Sequence, residues 1–198
     1  MKPSAVPASS NALQIVVGTA ALIAPSVHSI TDVIEWHQGG FSSLQLWLNY
    51  LAFLPMPWLL LGIFALHTPR PGPIGLIGAI LYGAAFTYFT HTTLFALAEH
   101  IANYDLLWST LGLFYWIHGA IMVVGGLLFA WSVWRAAWLP RAGIVCFAAG
   151  LMVNLLLALI PTPDILQTLG SALRNSGLVL MGYAIIFSPG QRPYNSPE

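Results

Sequence analysis

Hydrophobic residues occur in six long runs along this chain of 198 residues, and short polar segments separate the runs. A helix that crosses a bilayer needs roughly 20 mostly apolar residues, because its backbone polar groups must bond to one another inside lipid. The pattern therefore predicts an all-α fold, a polytopic membrane bundle of six transmembrane helices. The predicted spans are residues 13–30, 44–66, 74–97, 106–131, 141–160 and 165–187.

Glycine and proline mark where these helices end or bend. The first helix is predicted to continue beyond the membrane to Gln38, and the glycines at 39–40 end it because glycine readily adopts the left-handed conformation. Pro55 and Pro57 predict a kink near the centre of the second span. The whole chain, 1–198, is interpreted as one membrane domain with polar tails at 1–11 and 189–198.

Composition excludes several other classes of protein. Hydrophobic residues make up 58% of the chain and charged residues only 6%, whereas an average soluble domain has about 25% charged residues. Basic and acidic residues number six each, so the chain lacks the positive field of a nucleic-acid-binding protein. A single cysteine, Cys146, excludes a disulfide framework and a cysteine metal site.

The charged residues separate by side of the predicted membrane. Five basic residues fall on one side: Lys2, Arg70, Arg135, Arg141 and Arg192. Five acidic residues fall on the other: Asp32, Glu35, Glu99, Asp105 and Asp164. Because basic loops stay on the cytoplasmic side, both termini are predicted to be cytoplasmic, in a plasma (inner) membrane.

Polar side chains within the spans lie mainly in the outer half of the bilayer. With a rise of 1.5 Å per residue, His91, His118 and Arg174 are predicted at depths of roughly 12, 16 and 14 Å from the outer surface. His28, Asp32 and Glu35 are spaced i, i+4 and i+7 and so share one helical face. These positions predict a polar pocket that opens to the outer leaflet. Its predicted binding residues are Arg174, Asn175, Tyr88, Tyr115, Trp36, Asn49 and Asn154.

The pocket favours an enzyme that transfers protons to and from a lipophilic substrate. A carboxyl group half-withdrawn from water can protonate an alkene or epoxide, so Asp32 or Glu35 is the predicted acid, with His28 as its partner. His91 or His118 is the predicted base. Aromatic faces would stabilise a carbocation, and the candidates are Trp36, Trp116, Tyr88 and Phe114. This chemistry requires no cofactor.

A short stretch of the chain resembles a known family of such enzymes. Residues 28–32 read HSITD, and Glu35 and the stretch QLW at 45–47 follow them. This pattern resembles the His-x-x-x-acid helix of the emopamil-binding (EXPERA-like) sterol isomerases. The pair at 99–100 and the later His118 are similar to another part of that family, and small membrane-bound terpene cyclases use the same chemistry. The resemblance implies an isomerase or cyclase that acts on an isoprenoid-like lipid.

Two other classes of function stay open from the sequence. His91 and His118 are predicted on adjacent antiparallel helices, as the axial ligands of a haem b would be. Arg174 would then face a haem propionate. A quinone-binding electron-transfer protein is a related alternative. A small transporter or a subunit of a membrane complex is the other class. The expected partner is a membrane lipid or a lipophilic small molecule, not a nucleic acid. Association into a homo-oligomer or with a partner in a membrane complex stays open.

Overall fold

The computed structural model describes residues 8–67, 70–160 and 162–187. These residues form eight α-helices: α1 (Ala8–Gln38), α2 (Ser43–Phe53), α3 (Met56–Leu66), α4 (Gly72–Ala98), α5 (Tyr104–Leu111), α6 (Leu113–Ala136), α7 (Arg141–Ala158) and α8 (Asp164–Phe187). Helix α1 begins inside the predicted polar tail 1–11, and the tail 189–198 lies outside the described residues.

Six helical segments of the described chain are long and apolar enough to cross a membrane. They are Ala12–Gln38, Ser43–Leu66, Gly72–Ala98, Leu113–Ala136, Arg141–Ala158 and Asp164–Phe187. The predicted fold class is therefore confirmed: the protein is an integral, multi-pass membrane protein built as a helical bundle.

The second span is kinked, as its two prolines predicted. Helix α2 ends at Phe53 and α3 starts at Met56, so the helix is interrupted at Leu54 and Pro55. Pro55 and Pro57 have no N–H to continue the ladder of helical hydrogen bonds. The interruption lies between the two halves of the span Ser43–Leu66.

The start of the fourth span was predicted wrongly. Residues 106–111 belong to the separate helix α5, which the Asn103 side chain caps by accepting a hydrogen bond from the Leu106 N–H at 3.0 Å. Gly112, whose φ is +56°, then interrupts the helix before α6 begins. His118 is consequently five residues from the start of its helix, or only about 8 Å along the axis rather than 16 Å.

Small residues allow the helices to approach closely. A methyl group added at Gly78 of α4 would lie 2.5 Å from the backbone nitrogen of Phe129 in α6. One added at Gly125 of α6 would lie 2.7 Å from the backbone nitrogen of Tyr82. Such contacts between backbones are how helices associate in lipid, where apolar side chains gain little by leaving the solvent.

The two ends of the bundle carry opposite charges, as the sequence predicted. At one end the Phe41 N–H donates to the Ala102 carbonyl at 2.7 Å, which joins the α1–α2 connection to the α4–α5 connection. We call this the acidic end, since it holds Asp32, Glu35, Glu99, Asp105 and Asp164. The opposite, basic end holds Arg70, Arg135 and Arg141. Lys2 and Arg192 lie outside the described residues, and the side of the membrane that each end faces stays a prediction.

Candidate functional site

A cavity of about 610 Å³ lies at the acidic end, between the helices. Its walls include seven of the predicted site residues: His28, Asp32, Glu35, Trp36, Asn49, Tyr115 and Arg174. They come from α1, α2, α6 and α8, which shows that the fold brings distant parts of the chain to one site.

A buried chain of polar contacts crosses the inner wall of this cavity. A guanidinium nitrogen of Arg174, Nη2, lies 3.2 Å from Nδ1 of His28. The other ring nitrogen of His28, Nε2, lies 3.3 Å from Oδ1 of Asp32. The three residues are only 3%, 6% and 8% exposed. The basic and acidic side chains are therefore joined through an imidazole rather than directly.

The chemistry of these three groups determines the protons on His28. A guanidinium only donates hydrogen bonds, so Nδ1 of His28 must accept from Arg174 and carries no proton. The remaining ring proton is then on Nε2, where it is donated to the Asp32 carboxylate. His28 is thus a neutral bridge between a buried cation and a buried anion, and it gives each charge a hydrogen-bond partner away from water.

The second carboxylate oxygen of Asp32 is the one polar atom among these contacts that lacks a partner in the described residues. Oδ2 is buried and has no hydrogen-bond partner among the described residues, although Asp32 lines the cavity. A buried acceptor without a partner costs roughly 1–3 kcal/mol. A bound molecule that reached this oxygen and donated a proton or a hydrogen bond to it would remove that cost.

Neighbouring side chains hold the Arg174 guanidinium in place. Its Nε and Nη2 both donate to Oδ1 of Asn175 at 3.3 Å, and its Nη1 lies 3.6 Å from the sulfur of Met122. Asn175 itself does not line the cavity; its amide donates to the Ser29 hydroxyl at 3.1 Å. Gly150 of α7 packs on Arg174, and a methyl group there would lie 2.6 Å from the Arg174 Cα.

Helix α2 supports the other side of His28. The Thr31 hydroxyl lies 2.7 Å from the His28 carbonyl and 3.2 Å from Oδ1 of Asn49, so it ties α1 to α2. The ring of Phe53 meets the His28 ring edge-on, with the ring centres 4.7 Å apart. The imidazole is therefore fixed by packing as well as by its two polar contacts.

The rest of the cavity combines an aromatic wall with an acidic rim. Trp108 and Tyr115 lie with ring centres 5.8 Å apart, and Phe89 packs on Tyr115 at 5.7 Å. The acidic rim comprises Glu35, Asp105 and Asp164, of which Glu35 is half-buried and the other two are exposed. This lining suits a molecule that is mainly apolar and that carries or develops positive charge.

Five predicted site residues do not line the cavity. His91 is exposed on α4, and Asn154 donates to the Ser171 hydroxyl at 3.0 Å between α7 and α8. The ring of His118 stacks on Tyr88 with the centres 3.5 Å apart, and its Nδ1 lies 2.6 Å from the Phe114 carbonyl. Asn175 is the fifth residue and supports Arg174 as described above.

Trp116 and Phe114, predicted as aromatic faces, are exposed outside the cavity.

Other residues of the cavity wall were missing from the sequence prediction. Helix α4 contributes Phe86, Phe89, Thr92, Thr93 and Ala96. These positions recur at helical spacing and define one face of α4, and His91 lies on roughly the opposite side of the helix. That periodicity was the available signal. Gln45, quoted in the family resemblance, is fully buried on α2 and does not line the cavity, and its side-chain amide has no partner among the described residues.

Comparisons of the chain with protein-family models, with curated proteins and with solved structures give no match.

Proposed function

We propose that the cavity is the active site of a membrane enzyme that moves a double bond, or closes a ring, in an isoprenoid-like lipid by acid–base chemistry. The observation that carries this proposal is the buried Arg174–His28–Asp32 chain, which leaves Oδ2 of Asp32 without a hydrogen-bond partner among the described residues while Asp32 itself lines the cavity. The resemblance to the emopamil-binding sterol isomerases points to the same chemistry and stays a prediction.

The two carboxyl groups on α1 divide the proton transfers between them. Asp32 is held as a carboxylate by the His28 N–H and is the base, whereas Glu35, half-buried near the rim, is the acid. His91 and His118, predicted as the base, do not line the cavity.

The proposed isomerisation proceeds in two proton transfers. Glu35 gives its proton to one alkene carbon, and the π electron pair forms the new C–H bond and leaves a carbocation beside it. Asp32 then takes a proton from the adjacent carbon through Oδ2, and that C–H electron pair forms the displaced double bond. The proton returns from Asp32 to Glu35, which lies three residues along the same helix.

The carbocation is stabilised by the lining of the cavity. Trp108 and Tyr115 offer aromatic faces, and the Asp32 carboxylate and the acidic rim offer negative charge. Phe86 and Phe89 on the α4 wall would shield the cation from water, which would otherwise trap it as an alcohol.

Solvent deuterium tests the proposal without knowledge of the substrate. The protein is reconstituted into vesicles in D₂O with a panel of sterols and polyprenyl alcohols, and with a lipid extract of its host membranes. Because the Glu35 proton exchanges with solvent, each turnover places one deuterium on carbon, which mass spectrometry detects. We expect Glu35→Gln and Asp32→Asn to lower incorporation by roughly a hundredfold or more.

Two matched variants serve as controls for this experiment. Glu99→Gln makes the same carboxyl-to-amide change at the acidic end but outside the cavity, and His118→Gln changes a histidine outside it. Both are expected to keep the full rate. No incorporation by the folded protein, or an equal loss in the Glu99→Gln variant, would contradict the proposal.

The proposed chemistry uses only protons, so we expect purified protein to show no haem spectrum. The haem alternative predicts a Soret band that shifts on reduction with dithionite and disappears in His91→Ala or His118→Ala. That result would overturn the acid–base proposal.

A further inference from the structure

A second, smaller site lies at the basic end, far from the cavity. A groove of about 300 Å³ runs between the start of α4 and the end of α6, and both Arg70 and Arg135 line it. Trp131 and Ile74 form its flanks. The groove has no part in the proposed function, so the two can be tested separately.

The fold brings the backbones that carry both arginines to this groove. The Ser132 hydroxyl of α6 donates to the Pro71 carbonyl, which anchors the residue next to Arg70 against α6. Arg135 follows Trp131 by four residues and so shares its helical face, with the guanidinium carbon 5.9 Å from the centre of the indole ring. Arg70 and Arg135 therefore line the same groove, next to a hydrogen bond that joins the start of α4 to α6.

The groove has cations without a matching anion. All acidic side chains of the described residues are at the opposite end of the bundle, and neither Arg70 nor Arg135 forms an ion pair with a described residue. Helix α4 also begins here, and no side chain of the described residues forms a capping hydrogen bond at its N-terminus. Two arginines that line one groove beside a helix N-terminus are suited to a phosphate.

The flanks of the groove indicate which phosphate compound binds there. Trp131 is 58% exposed and Ile74 is 48% exposed, on segments that cross the membrane. A free phosphate ion would not use these apolar surfaces, whereas an acyl chain next to a phosphate would cover them. We propose that this groove binds the phosphate of an anionic phospholipid, with its acyl chain along Trp131 and Ile74.

Native mass spectrometry of the full-length protein in detergent tests this site. Phosphatidylglycerol or phosphatidylcholine is added at equal concentration, and the lipid-bound fraction is measured. We expect phosphatidylglycerol to bind more tightly, and Arg70→Gln and Arg135→Gln to weaken it by roughly fivefold each and roughly 30-fold together. Arg70→Lys and Arg135→Lys keep the charge and should retain most of the binding.

The control for total charge is Arg141→Gln, which removes a cation from the same end. Arg141 lies over the Trp134 ring at 5.1 Å and does not line the groove. An equal loss in Arg141→Gln would show a diffuse charge effect and overturn the proposal. Equal binding of the two lipids would overturn it as well, and so would displacement of the lipid by millimolar inorganic phosphate, which would identify a free-anion site.

Discussion

Arg174 and Asp32 are the charged ends of the buried chain through His28, and each depends on the other for compensation. Removing one partner of a buried pair leaves an uncompensated charge and costs about 3–5 kcal/mol. We therefore expect Arg174→Met and Asp32→Asn each to lower the melting temperature in detergent strongly. The double variant has no unpaired charge in this region. Its loss in the free energy of unfolding should therefore be smaller, by at least about 1 kcal/mol, than the sum of the losses in the two single variants. Strictly additive losses would contradict the coupling, and Arg141→Met, at an exposed site, is the control.

His67 is expected to make the stability of the protein depend on pH. It follows α3 immediately after the second span, its Nδ1–H donates to the Ile63 carbonyl at 2.9 Å, and its ring packs edge-on against Trp138 at 4.4 Å. Burial lowers the pKa of His67 below its ordinary value of 6.5. The folded state therefore binds a proton less readily than the unfolded state, and stability falls as the pH drops below about 6.5 and levels off below the folded pKa.

We expect His67 alone to lower the free energy of unfolding by at most about 1.4 kcal/mol per pH unit. Melting temperatures in detergent at pH 7.5 and pH 5.5 measure it. His67→Asn keeps an amide donor near the position of Nδ1 but does not titrate, so its melting temperature should change less between the two pH values. An unchanged pH dependence in that variant would show that another group is responsible.

At the scale of the helix, Gly112 decides where the fourth span begins. Its φ of +56° and ψ of −133° fall in a region that is open almost only to glycine, and a methyl group added there has no atom of the described residues within 4 Å other than those of Gly112 and its chain neighbours. Gly119 has the same open space but lies within helix α6. Gly112→Ala is therefore expected to destabilise the protein by about 1–3 kcal/mol, and Gly119→Ala to be neutral or stabilising by up to about 1 kcal/mol.

Thermal unfolding of the two glycine variants in the same detergent measures this difference. Since neither methyl group meets a neighbour, the comparison isolates the backbone conformation. A loss of equal size in both variants would show that packing, not φ, determines the result.

The sequence pattern predicted where most helices of this protein run, but it did not predict every helix boundary or the way in which every side chain faces. Run length predicted the spans, and the prolines predicted the kink at Leu54 and Pro55, because both depend on local chemistry. The break at Gly112 was missed, since apolar residues continue on both sides of it. His91 was placed by its depth and by the face that it was predicted to share with Tyr88, and neither says which way that face points within the bundle.

Across the whole molecule, the site is partly local and partly long-range. The contact between His28 and Asp32 follows from their i, i+4 spacing and was predicted as a shared face. The contact between His28 and Arg174 joins residues 146 positions apart, so it depends on how α1 packs against α8. A buried arginine predicts that a partner exists, but only the packed structure identifies that partner as a neutral imidazole.

The separation of charge between the two ends predicts how the bundle sits in the membrane. Arginine-rich loops stay in the cytoplasm, so the basic end is expected inside and the cavity is expected to open outside. In a Cys146→Ser background, single cysteines at Glu99 and Ala137 mark the acidic and basic ends. A membrane-impermeant maleimide added to intact cells should label Glu99→Cys at once and Ala137→Cys only after the membrane is permeabilised. The reverse labelling would place the cavity on the cytoplasmic side, and labelling of both in intact cells would contradict a single orientation.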